Sequence, residues 1–180
     1  MKSAPGELEL VREFINTFEP ERPEGEKLAD TNSATQWLRK RGLYSRSLTE
    51  AELAKLLTFR ETLRAEVLAH NGAGDKDRSW SALGDQLRET KLLVQIGSEA
   101  GEVRLIPAAP ASADAVIARL MAIMYDAIRR NEWRRLKACR KHSCLWAFYD
   151  RSKNSSGTWC DMAVCGNRIK AQRRRKRSMQ

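Results

Sequence analysis

ACRKHSCLWAFYDRSKNSSGTWCDMAVCGNR, residues 138–168, contains every cysteine of the chain. Cys139 and Cys144 form one C-x4-C pair, Cys160 and Cys165 a second, with fifteen residues between the pairs. Two spaced pairs can wrap one tetrahedral ion, each closing a tight backbone loop, and four thiolates at ~2.3 Å fill the coordination sphere that zinc prefers. Iron–sulfur ligation uses similar counts, so spacing alone leaves zinc and iron both open. Unrelated reduced thiols and disulfides are the competing readings. A disulfide framework is disfavoured in a chain with no secretory h-region in MKSAPGELELVREF. Four protein ligands leave no open position for water, so the site reads as structural and not catalytic. A fragment of roughly 45 residues makes too small a core unaided, so the metal supplies much of its folding free energy.

Between the pairs, LWAFYD (145–150) reads as a strand, RSKNSSG (151–157) as a polar turn and TWC (158–160) as a returning strand. Gly166 stands where backbone must pass close to the ion. Asn167 is the expected N-cap of a helix over 168–177. Asp150 and Arg151 are expected to pair. Trp146, Phe148, Tyr149 and Trp159 read as a miniature core around the site, ahead of a stacking platform for unpaired bases.

Charge separates this end from the rest. The chain has 180 residues and a net charge of +10, with 33 Lys/Arg against 23 Asp/Glu. Residues 129–180 hold 16 Lys/Arg and 3 Asp/Glu, a net of +13, whereas residues 1–128 hold 17 and 20, a net of −3. A mildly acidic body thus carries a strongly basic end, which seeks polyanions. No apolar run approaches the ~20 residues needed to span a bilayer, and the tail lacks the large apolar residues of a membrane-surface helix.

The body reads as mainly helical. Leu8, Val11, Phe14, Ile15 and Phe18 give a helix over 7–18, followed by a Pro/Glu-rich loop at 19–30. Asn16 and Thr17 are expected to satisfy backbone groups at that helix end, with lining a ligand pocket as the alternative. A short helix near 32–41 carries Trp37 and Leu38 and ends at Gly42. Thr49 and Glu52 form a capping box before a long helix reaching His70, which is expected as a solvated cap. A helix over 78–90 puts Trp80, Leu83 and Leu87 on one face. LLVQIG (92–97) and VRLIP (103–107) predict a hairpin. Ser112 opens a helix over 113–129 with Val116, Ile117, Leu120, Ile123, Met124 and Ile128 on its buried face. Trp133 and Leu136 could dock the tail on the body.

The fold class is therefore α+β: a mainly helical N-terminal domain with a small β-hairpin over 1–130, a connector at 131–138, and a four-cysteine finger with a hairpin and a basic C-terminal helix over 139–180.

RLKACRKHSCLWAFYDRSKNSSGTWCDMAVCGNRIKAQRRRKR, residues 135–177, resembles the CGNR zinc finger. The matching pieces are the first cysteine pair, FYDRSKN at 148–154, WCDMAVCGNR at 159–168, and the Lys170 and Arg tail. The N-terminal portion is similar to the ABATE domain that precedes this finger, through FINT at 14–17, WL at 37–38 and FRETLR at 59–64. Together they cover nearly the whole chain. The resemblance implies a stress-induced bacterial transcription regulator, with a zinc-bound, DNA-binding finger and a sensory or regulatory N-terminal domain. Carried over residue by residue, the ligands of one structural zinc are Cys139, Cys144, Cys160 and Cys165, and Gly166, Asn167 and Arg168 complete the motif. The chain departs from the family where members often carry an Arg before the Trp-Cys; here stand Gly157 and Thr158.

RRRKR at 173–177 with Arg168 and Lys170 supplies seven cations in ten residues. The expected partner is double-stranded DNA, with Arg168, Lys170, Arg173, Arg174, Arg175, Lys176 and Arg177 on phosphates. Asn167, Arg168, Gln172 and Arg173 are the candidates for base edges. RNA or protein contact is the alternative, and a solvated tail is the bland one. The reading leaves room for a homodimer and for a small-molecule effector of the N-terminal domain. It places the protein in the cytoplasm, with the nucleoid. His70 and His142 are the only histidines, and no Gly-rich phosphate loop, nucleophile elbow or paired-carboxylate constellation stands in the sequence, so no enzyme is expected.

Overall fold

The computed structural model describes residues 3–21, 25–44, 46–88, 90–99, 101–108 and 112–177, without the side chains of 172–174, 176 and 177. Six helices and two antiparallel hairpins follow in the order α1 (Leu8–Ile15), α2 (Thr31–Arg39), α3 (Glu50–Ala69), α4 (Lys76–Leu87), β1 (Leu92–Ile96), β2 (Val103–Pro107), α5 (Ala113–Arg129), β3 (Leu136–Ala138), β4 (Ala147–Tyr149) and α6 (Asn167–Arg177). The fold is α+β as the sequence predicts.

Helix starts follow local chemistry. Thr49 accepts from the Glu52 N–H while the Glu52 side chain accepts from the Thr49 N–H, closing the expected capping box. Ser112 caps α5 through the Ala115 N–H. Gly42 sits at φ +65, with its N–H on the Arg39 carbonyl and that of Leu43 on Leu38, a Schellman stop after α2. Asn131 plays the same part after α5 at φ +59: its N–H meets the Ile128 carbonyl and that of Glu132 meets Ala127. That turn sends the chain directly into Trp133.

The core gathers Val11, Phe14 and Ile15 of α1, Leu38 of α2, Phe59 and Leu63 of α3, and Ile117 and Leu120 of α5. It continues without a break through Trp133, Leu136, Ala138, Ala147 and Tyr149. Trp133 and Leu136 are 3% and 0% exposed, so the segment that joins body and tail is packed, not a free linker.

Several local expectations are corrected. α1 stops at Ile15, short of Phe18. Trp80 is 52% exposed although Leu83 on the same helix is buried, and Ile128 is 38% exposed at the end of α5. His70 is buried, not a solvated cap: Nδ1 lies 2.8 Å from the Leu136 carbonyl and Nε2 3.1 Å from Glu66. The hairpin of the C-terminal part pairs 147–149 with 136–138, not with 158–160, so the first cysteine pair lies in its connection. The reason is tertiary: Leu136 and Tyr149 are a registered pair buried in the core, whereas Trp159 packs on the cysteine cluster and the Thr158 carbonyl is held by Asn71.

Candidate metal centre and nucleic-acid interface

The hairpin β3–β4 exposes outward backbone groups on both edges, and side chains of the body meet them. Asn16 forms a reciprocal pair with Ala147, its Nδ2 donating to the carbonyl at 2.8 Å and its Oδ1 accepting the N–H at 2.8 Å. On the other edge His70 meets the Leu136 carbonyl, and Asn71 Nδ2 donates to the carbonyls of Ala138 (2.7 Å) and Thr158 (2.8 Å). Arg64 Nη1 reaches the Leu145 carbonyl at 3.1 Å, and its Nη2 the carbonyls of Ile15 and Phe18. Buried peptide groups left unmet cost about 1–3 kcal/mol each, so these side chains hold the hairpin in place. Asn16 therefore serves the finger, not the end of its own helix. Thr17 donates to the Phe14 carbonyl and accepts from Arg60.

From this anchored hairpin the four cysteines converge. Their Sγ atoms all lie within 4.8 Å of one another, and Cys144–Cys160 and Cys160–Cys165 are 3.7 Å apart. Thiolates at ~2.3 Å from a tetrahedral ion stand about 3.8 Å apart, so the set fits zinc. Cys139, Cys144 and Cys165 are buried, with Trp146 and Trp159 packed around them. Hydrogen bonds from the Cys144 and Cys160 thiols, with backbone N–H groups of Cys160 and Lys141, hold Cys139 down to about 2. Sharing a proton with Cys139 lifts Cys144 to about 12, the same sharing lifts Cys160, and burial leads the rise of Cys165. Four thiolates brought this close repel one another, and a cation among them compensates that charge. His142 is exposed and stands outside the group.

The second pair is built by a turn. Asp161 accepts the Val164 N–H at 3.0 Å and caps Met162–Gly166, a wide π-type turn that carries Cys165 and runs straight into α6. The cap is therefore Asp161, and Asn167 is the first helical residue instead. A Cβ at Gly166 would meet the side chain of Met162 and lie 3.2 Å from Trp159 Cδ1, so the glycine answers close side-chain packing.

These features meet their match in known families. A family model for the CGNR zinc finger matches residues 135–178, and one for ABATE, described as a "putative stress-induced transcription regulator", matches residues 8–130. The chain belongs to the ABATE family and ends in a CGNR zinc finger. No curated protein matches it significantly. The four cysteines are the site of one structural zinc in this CGNR finger.

The remaining positions of the finger sort by exposure. Asn167, Arg168, Lys170 and Arg175 are exposed on α6, while the side chains of Gln172, Arg173, Arg174, Lys176 and Arg177 lie outside the described set. Phe148 and Tyr149 are buried in core, and Trp146 and Trp159 pack on the cluster. Asp150 pairs with Lys137 at 2.8 Å, not with Arg151, which donates to the Ser3 carbonyl. Lys137 also reaches the Ser155 and Gly157 carbonyls, and Asp150 accepts the N–H groups of Ser152 and Gly157. The 151–157 loop is thus folded around one buried ion pair. Glu21 of the loop after α1 accepts from Lys141 and Ser143 of the first knuckle, and Arg168 helps hold its carboxyl below the usual range, after those two.

Sequence reasoning missed Asn71, Arg64, Glu21 and Lys137. Only Arg64 left a signal: with Arg60 it sits four residues apart on the Leu56, Leu63 and Val67 stripe, where two arginines on a buried face need partners.

Proposed function

We propose that the protein is a zinc-dependent transcription regulator whose CGNR finger presents α6 to double-stranded DNA, while the ABATE domain regulates it. The observation that carries the reading is continuity: the turn holding Cys165 passes into α6 with no intervening residue, so zinc fixes the direction of a helix rich in cations. Arg168, Lys170 and Arg175 are exposed cations of the kind that neutralise phosphates, and with Asn167, also exposed, they support the reading. Phe148 and Tyr149 are buried, and Trp146 and Trp159 are half-buried against the cysteine cluster, which leaves little open aromatic face for stacking on unpaired bases and supports duplex over RNA. In this reading the zinc is structural, since four thiolates fill its coordination sphere and leave no open position for water or substrate. The reading puts the regulator in the cytoplasm, with the nucleoid where its DNA partner lies; separately, among the described residues no helix is long and apolar enough to cross a membrane.

Selection from a random-duplex library at near-physiological salt tests this. An enriched motif is expected, and its symmetry would report monomer or dimer. Retention without a motif would reduce the finger to backbone adhesion and favour RNA or a protein partner.

A further inference from the structure

A cavity of about 530 Å³ opens where α3, α4, α5 and the connector to the finger meet. That volume falls within the ~300–1,000 Å³ of sites that take small ligands. Its deep part is made by Trp133, His70 and Glu66, all buried, and its apolar walls by Trp80 of α4 and Ile128 of α5.

Three features distinguish it from a crease between helices. Trp80 is left 52% exposed while Leu83 of the same helix is 2% exposed, so the largest apolar side chain of α4 faces the cavity and not the core. The Trp133 indole N–H is buried and has no hydrogen-bond partner among the described residues, a state few native donors tolerate. At the rim stand Lys76 and Arg134, neither in an ion pair among the described residues, against Asp77. Glu66 is buried beneath and is hydrogen-bonded by His70 and Ser79, so the exposed charges at the mouth are Lys76 and Arg134 against Asp77, two cations to one carboxylate.

We propose that this cavity binds a small planar aromatic anion of the aromatic carboxylate class, and that the bound anion changes the affinity of the finger for DNA. Aromatic rings stack on indole faces, and a carboxylate takes the guanidinium of Arg134 in bidentate fashion. The route to the finger is short. Asn131 turns the chain from α5 into Trp133, β3 starts three residues later at Leu136, and Cys139 follows β3. His70, on the cavity wall, is hydrogen-bonded to the Leu136 carbonyl. A ligand that binds one placement of Trp133 and His70 better than another shifts the hairpin that carries the first zinc ligand. This second half rests on the DNA-binding reading.

The test is calorimetric titration of the zinc-loaded full-length protein with 1-naphthoate, beside the neutral 1-naphthalenemethanol. Saturable binding of naphthoate is expected, weaker by about tenfold or more in Trp80→Ala, in Arg134→Gln and for the neutral alcohol. Trp80 and Arg134 are exposed, so both variants keep the fold. Absence of saturable heat, or equal affinity in parent and both variants, overturns the site. In a second arm, saturating naphthoate is expected to shift duplex affinity by about fivefold or more. Binding of naphthoate with unchanged duplex affinity overturns the coupling. A parent that binds no duplex either with or without naphthoate overturns the DNA-binding reading and the coupling with it, while the titration decides the cavity on its own.

Discussion

Lys137 and Asp150 are 4% and 0% exposed and 2.8 Å apart. Burial alone would raise the Asp150 carboxyl, but hydrogen bonds from Lys137, Ser152 and Gly157 outweigh it and hold the group well below the usual carboxylate range. Because the folded value is depressed, the stabilisation is complete above the unfolded value of about 4 and is lost as pH falls below it. Asp150→Asn leaves the Lys137 ammonium buried without its counter-ion, at a cost of about 3–5 kcal/mol. Denaturant unfolding of parent and variant should show that gap flat from about pH 8 to 5 and shrinking below about pH 4. A gap under about 1 kcal/mol at neutral pH would reduce the pair to an ordinary surface ion pair. The sequence shows this pair poorly. Asp150 has an arginine beside it at 151, but Lys137, thirteen positions earlier, is its partner because the hairpin brings the two together. The cysteines, by contrast, were legible, since their spacing is itself the geometry of the site.

Elements with capping chemistry and sustained periodicity are legible in the sequence nearly whole. α3 and α5 begin at the residues after Thr49 and Ser112, and the β1–β2 hairpin pairs Leu92–Ile96 with Val103–Pro107. β3 was not legible. Three residues cannot display alternation, and its strand state depends on His70 and Asn71, which lie more than 60 residues away on the body, and on pairing with β4, which Asn16 holds. The same dependence makes a prediction. Asn16→Ala strands the N–H of Ala147 and leaves its carbonyl only the long 3.5 Å contact from Arg12, and should cost about 1–4 kcal/mol. Faster amide exchange in 136–149 than in α3 would report the release of the hairpin. Uniform change across the chain would mean that Asn16 supports α1 alone.

At the scale of the molecule, one core runs from α1 through the hairpin of the finger, and beyond it the chain depends on the metal. Cys165→Ser removes a thiolate that no neighbouring side chain replaces, since the described candidates for ligation are these four cysteines. The variant should lose its zinc and the order of α6, while the hairpin stays docked through Asn16, His70 and Asn71. Zinc content equal to the parent's would contradict the metal assignment. Charge is divided along the chain as well, net −3 over residues 1–128 and +13 over 129–180, and the proposed function puts the polyanion surface on α6, the element that zinc orders. The most direct measurement of that claim is the salt dependence of duplex affinity for the parent and for a variant with Arg173, Arg174, Arg175 and Arg177 replaced by Gln. Each phosphate contact contributes about 0.9 to the slope of log affinity against log salt, so removing four should flatten it by up to about 3.6. An unchanged slope would place the phosphate contacts away from α6 and contradict the account.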